Sequence, residues 1–360
     1  MGVAAIVDAV NAAAGARRAL RIAGSGSKDF YGQSLHGDVL ETGSHQGIAA
    51  YEPTELVITA RAGTPLAEVE KILAENGQML PFEPPHFGRD ATFGGAIAAG
   101  LSGPRRAANN GYYGAVRDFV LGCKMVDGKG DVLSFGGQVM KNVAGYDVSR
   151  MMAGSMGTLG VLLEISLKVL PAPVATSTIR LGLRNPADAI RKLNQWGGQP
   201  LPVTATSYHD GDLAVRLEGA AAAVNSAGKK LGGEMVDAAE AAAFWRGLRD
   251  QTDAFFDGAE PLWRLSVPST SVPLDLPGRQ LIEWGGALRW FKSDAPAGAM
   301  RTLAKEVGGH ATLFRAHDGL KQEVGVFTPL DPVLGRIHKN LKATFDPHGI
   351  FNRGRLYPDL

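Results

Sequence analysis

Cysteine is almost absent from this 360-residue chain, which carries Cys123 and no other. One thiol excludes an internal disulfide and any cysteine-ligated iron–sulfur cluster built from this chain alone. Cys123 itself, in the strand-like run VLGCKMV, reads as a small buried residue rather than a redox or flavin-linking group. Charge of one sign is missing too: 37 lysines and arginines stand against 36 aspartates and glutamates, so no field is available to hold nucleic acid by counterion release. No run reaches the roughly 20 apolar residues that a membrane helix needs. The opening MGVAAIVDAVNAAAG carries Asp8 and no early basic cluster, so it reads as an amphipathic helix rather than a signal peptide. The expectation is a cytoplasmic protein, peripheral at the inner face of a membrane only through partners. The eight histidines are scattered without ligand spacing, and no metal site is expected.

What is present is glycine, 47 residues of it, concentrated between 81 and 171 at non-repeating spacing. Gly94, Gly95, Gly100 and Gly103 remove side chains where backbone must approach a bulky ligand, at a cost in folding entropy. The length predicts two domains. Residues 17–60 read as an opening α/β unit: a strand at 20–23, the loop Gly24-Ser25-Gly26-Ser27-Lys28, and a second strand at 55–59. Thr64 as N-cap and Pro65 at the first helical position then predict a helix running to Gly77. Residues 111–171 turn to short strands, with Asp127-Gly128 and Lys129-Gly130 as a hairpin turn and VLLEISLKV as a strand with one covered face. Pro171 and Pro173 break the pattern, and the boundary is placed there. Beyond it the order of strands and helices predicts an antiparallel sheet with helices on one face. A final amphipathic helix ends near Asp346-Pro347.

The loop 24–28 follows a strand, where backbone amides converge on phosphate oxygens, although by itself such a turn reads equally well as a plain loop. It is not the dinucleotide fingerprint, because Asp29 occupies the third glycine position, and it lacks the ending of a Walker loop. Thr92 and Ser102 offer hydroxyls to a phosphate or polyol. Arg105 and Arg106 read either as a diphosphate clamp or as a solvated basic pair, and Asp147 with Arg150 either as a helix-capping pair or as a functional one. In EWGGALRWFKS, Arg289 or Lys292 is suited to pair with a carboxylate, while Trp284 and Trp290 read more simply as strand packing.

Taken in order, the blocks RIAGSGSKDFYG, ATFGGAIAAGLSGPRR, VRDFVLG, FGGQVMKNVAGYDVSRMMAGSMGTLGVL and FDPHGIFNRGRLYP resemble the flavin domain of the vanillyl-alcohol oxidase (PCMH) superfamily. More narrowly they resemble the FAD-binding subunits of bacterial glycolate oxidases, over nearly the whole chain. The resemblance implies an α+β chain: a PCMH-type two-subdomain FAD-binding domain at 1–173, an α+β cap at 174–325 with an antiparallel sheet, and a C-terminal helix and tail at 326–360 returning to the FAD domain. It carries FAD contact onto Gly24, Ser25, Gly26, Ser27, Lys28, Thr92, Gly94, Gly95, Ser102, Gly103, Lys141, Asn142, Tyr146, Gly154, Gly157, Thr158, Gly160 and Val161. Lys141 and Asn142 are candidates for the flavin ring edge, where a cation or donor stabilises the reduced anionic ring. With Arg289 they are the catalytic candidates. No histidine or cysteine in the first loop is aimed at the ring, and His86 sits in a proline-rich turn, so FAD is expected to be non-covalent.

Relatives that oxidise 2-hydroxy acids carry a histidine cluster and a Gly-Asp-Gly-Asn string in the cap, and this chain has no such string. The resemblance therefore implies a subunit that works with a larger FAD-containing catalytic subunit and an iron–sulfur subunit in oxidising glycolate. A self-sufficient FAD-dependent oxidoreductase of another substrate and a non-catalytic flavin-fold scaffold are the competing readings.

Overall fold

A computed structural model describes residues 1–107, 114–137 and 147–360. A five-stranded antiparallel sheet runs in the order Ile48–Glu52, Val57–Arg61, Val161–Lys168, Val120–Val126, Val132–Gly136. Its middle strand departs from the one-faced pattern expected of it, because it is covered on both faces. Val161 and Leu163 pack with Ile6 and Val10 of the helix Val3–Ala16, whereas Ile165 and Leu167 pack with Leu66, Val69 and Leu73 of the helix Leu66–Glu75. Its one hydroxyl, Ser166, is buried and satisfied by Thr59 Oγ1 at 2.8 Å. Cys123 lies in the same core, and burial pushes its thiol up to about 12.

The turn between Val120–Val126 and Val132–Gly136 forms because Asp127 Oδ1 accepts from the backbone of Lys129 at 2.9 Å and Asp131 at 3.0 Å, while Gly130 takes φ +82°. The helix Leu66–Glu75 starts one residue later than expected. Thr64 does not cap it: the threonine hydroxyl is engaged by the backbone of Gly47, at 3.0 Å from its nitrogen, and Pro65 takes the cap position.

An eight-stranded antiparallel sheet follows, in the order Glu234–Met235, Ala175–Gly182, Asp212–Gly219, Val203–His209, Arg279–Glu283, Leu288–Lys292, Leu262–Ser266, His310–Arg315. The helices Pro186–Gly197, Ala221–Leu231 and Ala297–Glu306 fill the cores on one face. Asn185 caps the first of them by accepting from Asp188 N at 2.9 Å. The other face packs Leu281, Leu288, Trp290 and Phe314 against Tyr31, Ala99, Leu101 and Met156 from the N-terminal part, with the helix Ala238–Asp250 alongside.

Two buried ion pairs cross between these parts. Both guanidinium nitrogens of Arg216 lie 2.9 Å from the Glu83 carboxylate, and Arg105 Nη2 lies 2.9 Å from both oxygens of Glu218. Trp284 adds an indole hydrogen bond to the Gly103 carbonyl at 2.9 Å. Arg105 is therefore committed to carboxylates rather than free for a diphosphate. Burial alone would raise the Glu83 carboxyl, but the flanking Arg105 and Arg216 outweigh it and hold it down to about 2.

A carboxyl depressed below its unfolded value contributes stability that is complete above the unfolded value near 4.5 and is lost as pH falls toward about 2. Glu83→Gln should flatten that acid limb and, by removing the bidentate carboxylate of Arg216 and leaving it the longer 3.4 Å contact with Glu218, cost about 3 kcal/mol at neutral pH. Denaturant melts of both proteins as a function of pH check this; equal stability at pH 7 would show that the pair is not a staple.

Candidate functional site

The strand Leu20–Ala23 pairs in parallel with Asp38–Glu41 on one side and bridges to Phe351 on the other. At its end the chain turns through 24–28, with Gly26 at φ +76° and Asp29 N closing on the Gly26 carbonyl at 3.0 Å. The loop is held from outside by Arg355, whose guanidinium donates to the carbonyls of Asp29 (2.8 Å), Tyr31 and Gln33. Asn352 joins the same segment to two others: its Oδ1 accepts from Ile22 N at 2.8 Å and its Nδ2 donates to the Met156 carbonyl at 2.6 Å. Lys342, from the helix Pro332–Phe345, donates to the carbonyls of Thr158 at 2.8 Å and Phe351 at 2.7 Å.

The opposite wall is the short helix Phe93–Ala99. Thr92 caps it, its Oγ1 accepting from Gly95 N at 3.2 Å. The wall is laid against the five-stranded sheet by Gly94, whose nitrogen donates to the Ala62 carbonyl at 2.8 Å and where a Cβ would stand 2.6 Å from Ala62 Cβ. Gly94 thus serves close backbone packing. Gly24 does the same for the first loop, since a Cβ there would stand 2.4 Å from Thr92 Oγ1.

Between these walls lies a cleft with about 810 Å³ free of protein atoms, part of it open to solvent. Of the residues expected to contact a cofactor, Gly24, Ser25, Gly26, Ser27, Lys28, Thr92, Gly94, Gly95, Gly157 and Gly160 line it together. Others are placed elsewhere. Gly103 is spent on the contact with Trp284, and Ser102 Oγ is buried without a hydrogen-bond partner among the described residues. Gly154, with φ +86°, donates its amide to the Ile97 carbonyl. Thr158 gives its hydroxyl to the Ser155 carbonyl at 2.7 Å, and Val161 is core. Lys141, Asn142 and Tyr146 lie outside the described residues.

Arg289 is fully buried on the strand Leu288–Lys292, opposite Leu265 of the outer core. Its side chain donates to the carbonyls of Gly286 at 2.6 Å and Ser271 at 2.9 Å, and burial lowers its pKa to about 10. It fastens backbone on the sheet face turned away from the cleft, which corrects the expectation of a catalytic arginine there. Asp147 caps Val148–Met151 and pairs with Arg150 at 3.0 Å, the bland reading of that couple.

The cleft's own chemistry is cationic and aliphatic. Lys28 Nζ donates to the His86 carbonyl at 3.2 Å, and burial lowers its amine to about 8 against the pull of Asp250. Ile22, Ala62, Ala98 and Leu162 add apolar surface. Such a lining suits an elongated ligand with an anionic portion. His86 is engaged on both sides, its ring 2.9 Å from Glu70 and its amide 3.0 Å from Asp250. Asn352 and Arg355, which also line the cleft, carry no periodic or turn signal in the sequence and were not singled out by it. Gly94→Val should lower the yield of folded chain, measured by soluble expression and thermal midpoint, because the added methyls meet Ala62; a normally folded variant would return Gly94 to a ligand-spacing role.

Residues 2–136 match a family model described as FAD binding domain. Glycolate oxidase subunit GlcE of Escherichia coli (strain K12) is 49% identical over 356 residues, covering 99% of this chain and 97% of that protein. D-lactate dehydrogenase of Anaerostipes hadrus is 28% identical over 171 residues, 48% of this chain but 35% of that protein. Glycolate oxidase subunit GlcD of Bacillus subtilis (strain 168) is 32% identical over 132 residues, 37% of this chain and 27% of that one. Among solved structures, p-cresol methylhydroxylase with substrate bound shares the fold over 99% of this chain and 88% of its own, with a TM-score of 0.70 at 15% identity. The near-complete match at 49% identity, the matched FAD binding domain and the fold shared with p-cresol methylhydroxylase lead to one assignment: this chain belongs to the family of glycolate oxidase subunit GlcE.

Proposed function

We propose that this chain is the FAD-binding subunit of a multi-subunit glycolate (2-hydroxy acid) oxidase, oxidising glycolate to glyoxylate with a larger FAD-containing catalytic subunit and an iron–sulfur subunit. The observation that carries it is the cleft between loop 24–28 and the helix Phe93–Ala99, read with the full-length likeness to a glycolate oxidase subunit. The residues fit the cofactor. The glycine turn closed by Gly26 leaves backbone close to the cleft, and Lys28 sets a cation beside it for a diphosphate. When bound, FAD supplies a two-electron acceptor; the protein's part is to place and enclose it.

The lining supports non-covalent binding: the described residues of the cleft include no histidine or cysteine, and neither do residues 108–113 and 138–146. A single cysteine requires any iron–sulfur centre to sit on a partner. We assign 1–173 to the FAD domain, 174–325 to the cap and 326–360 to the returning helix and tail. Lys141, Asn142 and Tyr146 remain the proposed contacts at the flavin ring. Among the described residues no helix is long and apolar enough to cross a membrane, so membrane association would come through the complex.

The deciding experiment is the visible spectrum of the purified chain, before and after anaerobic glycolate. Bleaching of bound flavin would place a complete oxidation site here. Bound flavin that glycolate leaves unchanged would put oxidation on a partner, and failure to take up FAD at all would overturn the reading of the cleft. Lys28 sets a pH signature. Its amine, lowered to about 8, is a cation below that value and neutral above it. FAD affinity should therefore fall as pH rises through about 8; Lys28→Met should weaken binding at pH 7 and flatten the profile, and Lys28→Arg should move the fall to higher pH. A flat wild-type profile from flavin fluorescence titrations would remove Lys28 from the site.

A further inference from the structure

Most of this chain's buried arginines are neutralised or bonded: Arg105 and Arg216 by carboxylates, Arg289 and Arg355 by carbonyls. Two are not. Arg264 stands on the sheet face turned toward the N-terminal part, opposite Trp290 on one neighbouring strand and Thr312 on the other. Its guanidinium lies 5.2 Å from the Trp284 ring centroid and 5.9 Å from that of Trp290. Arg106, from the turn Pro104–Ala107, reaches the same indole from the N-terminal part, 4.5 Å from its centroid. Among the described residues neither side chain has an ion-pair or hydrogen-bond partner, and residues 108–113 and 138–146 contain no aspartate or glutamate to supply one.

The acids that act on them from a distance are otherwise engaged. Glu283 accepts from Trp290 Nε1 at 2.7 Å, and burial raises its carboxyl to about 7, so it is only partly a counter-charge. Asp118 accepts from Ala115 N at 2.7 Å. Burial lowers the pKa of both arginines, the charge of Arg264 lowers that of Arg106 further, and both arginines lower His310. Two half-buried guanidiniums without a counter-ion are costly to hold. They are also a ready-made receptor for a planar anion, which guanidinium groups bind in bidentate fashion.

The flavin diphosphate is not that anion, because neither arginine lines the cleft. The pair nonetheless sits close behind it: Ala99 and Met156 line the cleft and pack in one cluster with Trp284 and Trp290. We propose that Arg106 and Arg264, sharing the Trp284 indole, bind the carboxylate of a small hydroxy acid, so that this subunit has a substrate site of its own. This rests on the function proposed above.

The test is titration of the full chain with glycolate and with unreactive oxalate, at ionic strength held constant with chloride, read by tryptophan fluorescence and by thermal midpoint. Saturable binding is expected in the wild type, weakened about tenfold or more in Arg264→Met and in Arg106→Met, and partly retained in Arg264→Lys. Without anion, Arg264→Met should melt at or above the wild-type midpoint, because it removes an unpaired charge; oxalate should raise the wild-type midpoint and not the variant's. No saturable response in the wild type, or equal affinity in Arg264→Met, overturns the site. Turnover by the assembled complex separates the two ideas. A wild-type complex that oxidises glycolate while the variant chain binds unchanged leaves the function standing and only this site fallen, whereas a wild-type complex inert toward glycolate removes the function and with it the hydroxy-acid assignment.

Discussion

The paired exchange of Glu83 with Arg216 and Arg105 with Glu218 fixes how the eight-stranded sheet meets the FAD domain, and much of the rest depends on it. Each part contributes one acid and one base, so neither surface carries net charge at the contact, and the shorter, bidentate contacts are the ones made between the parts. Such an arrangement favours one relative orientation over others of equal apolar area, since bidentate geometry tolerates little rotation. The aromatic cluster around Trp284, Trp290 and Phe314 then packs against Tyr31, Ala99 and Met156 in that orientation. The cleft's inner wall and the sheet face thus share one core.

Much of this architecture is legible in the sequence. The strand at 20–23, the hairpin at 127–130, the helix begun by Asn185-Pro186 and the last amphipathic helix all carry local signals, caps, turns and periodicity, that the fold obeys. Where reading failed, a distant group had taken a residue out of its local role. Thr64 caps nothing because Gly47 engages its hydroxyl, and Ser166, a polar residue in the strand's alternation, is buried with Thr59 as its partner. The strand Val161–Lys168 looked one-sided because its polar residues alternate, but a central strand is covered twice.

The site was legible to a lesser degree, and for a related reason. The loop at 24–28 and the glycines at 94 and 95 drew attention by their spacing, Gly157 and Gly160 by the resemblance, and all of them line one cleft. Spacing did not say which glycines are there for a ligand and which for the chain itself, and Gly94 belongs to the second kind through Ala62. Arg289 drew attention as a basic residue between tryptophans, while Arg264, in an unremarkable strand, is left without an ion-pair or hydrogen-bond partner among the described residues. Pairing is a property of three-dimensional neighbours, and composition does not report it.

Asn352 bonds Ile22 across 330 positions of sequence, and Arg355 holds the carbonyls of the loop that follows. A chain made from its amino end has its glycine loop long before the residues that brace it. Closure over so wide a separation is entropically slow and comes late. The first domain therefore waits, with one wall of its cleft unbraced, until the three-hundred-and-fifties have been added. Cofactor uptake then follows the arrival of Asn352 and Arg355, and a chain that keeps the whole matched FAD-binding segment but lacks these two residues should be complete in that segment and open in structure.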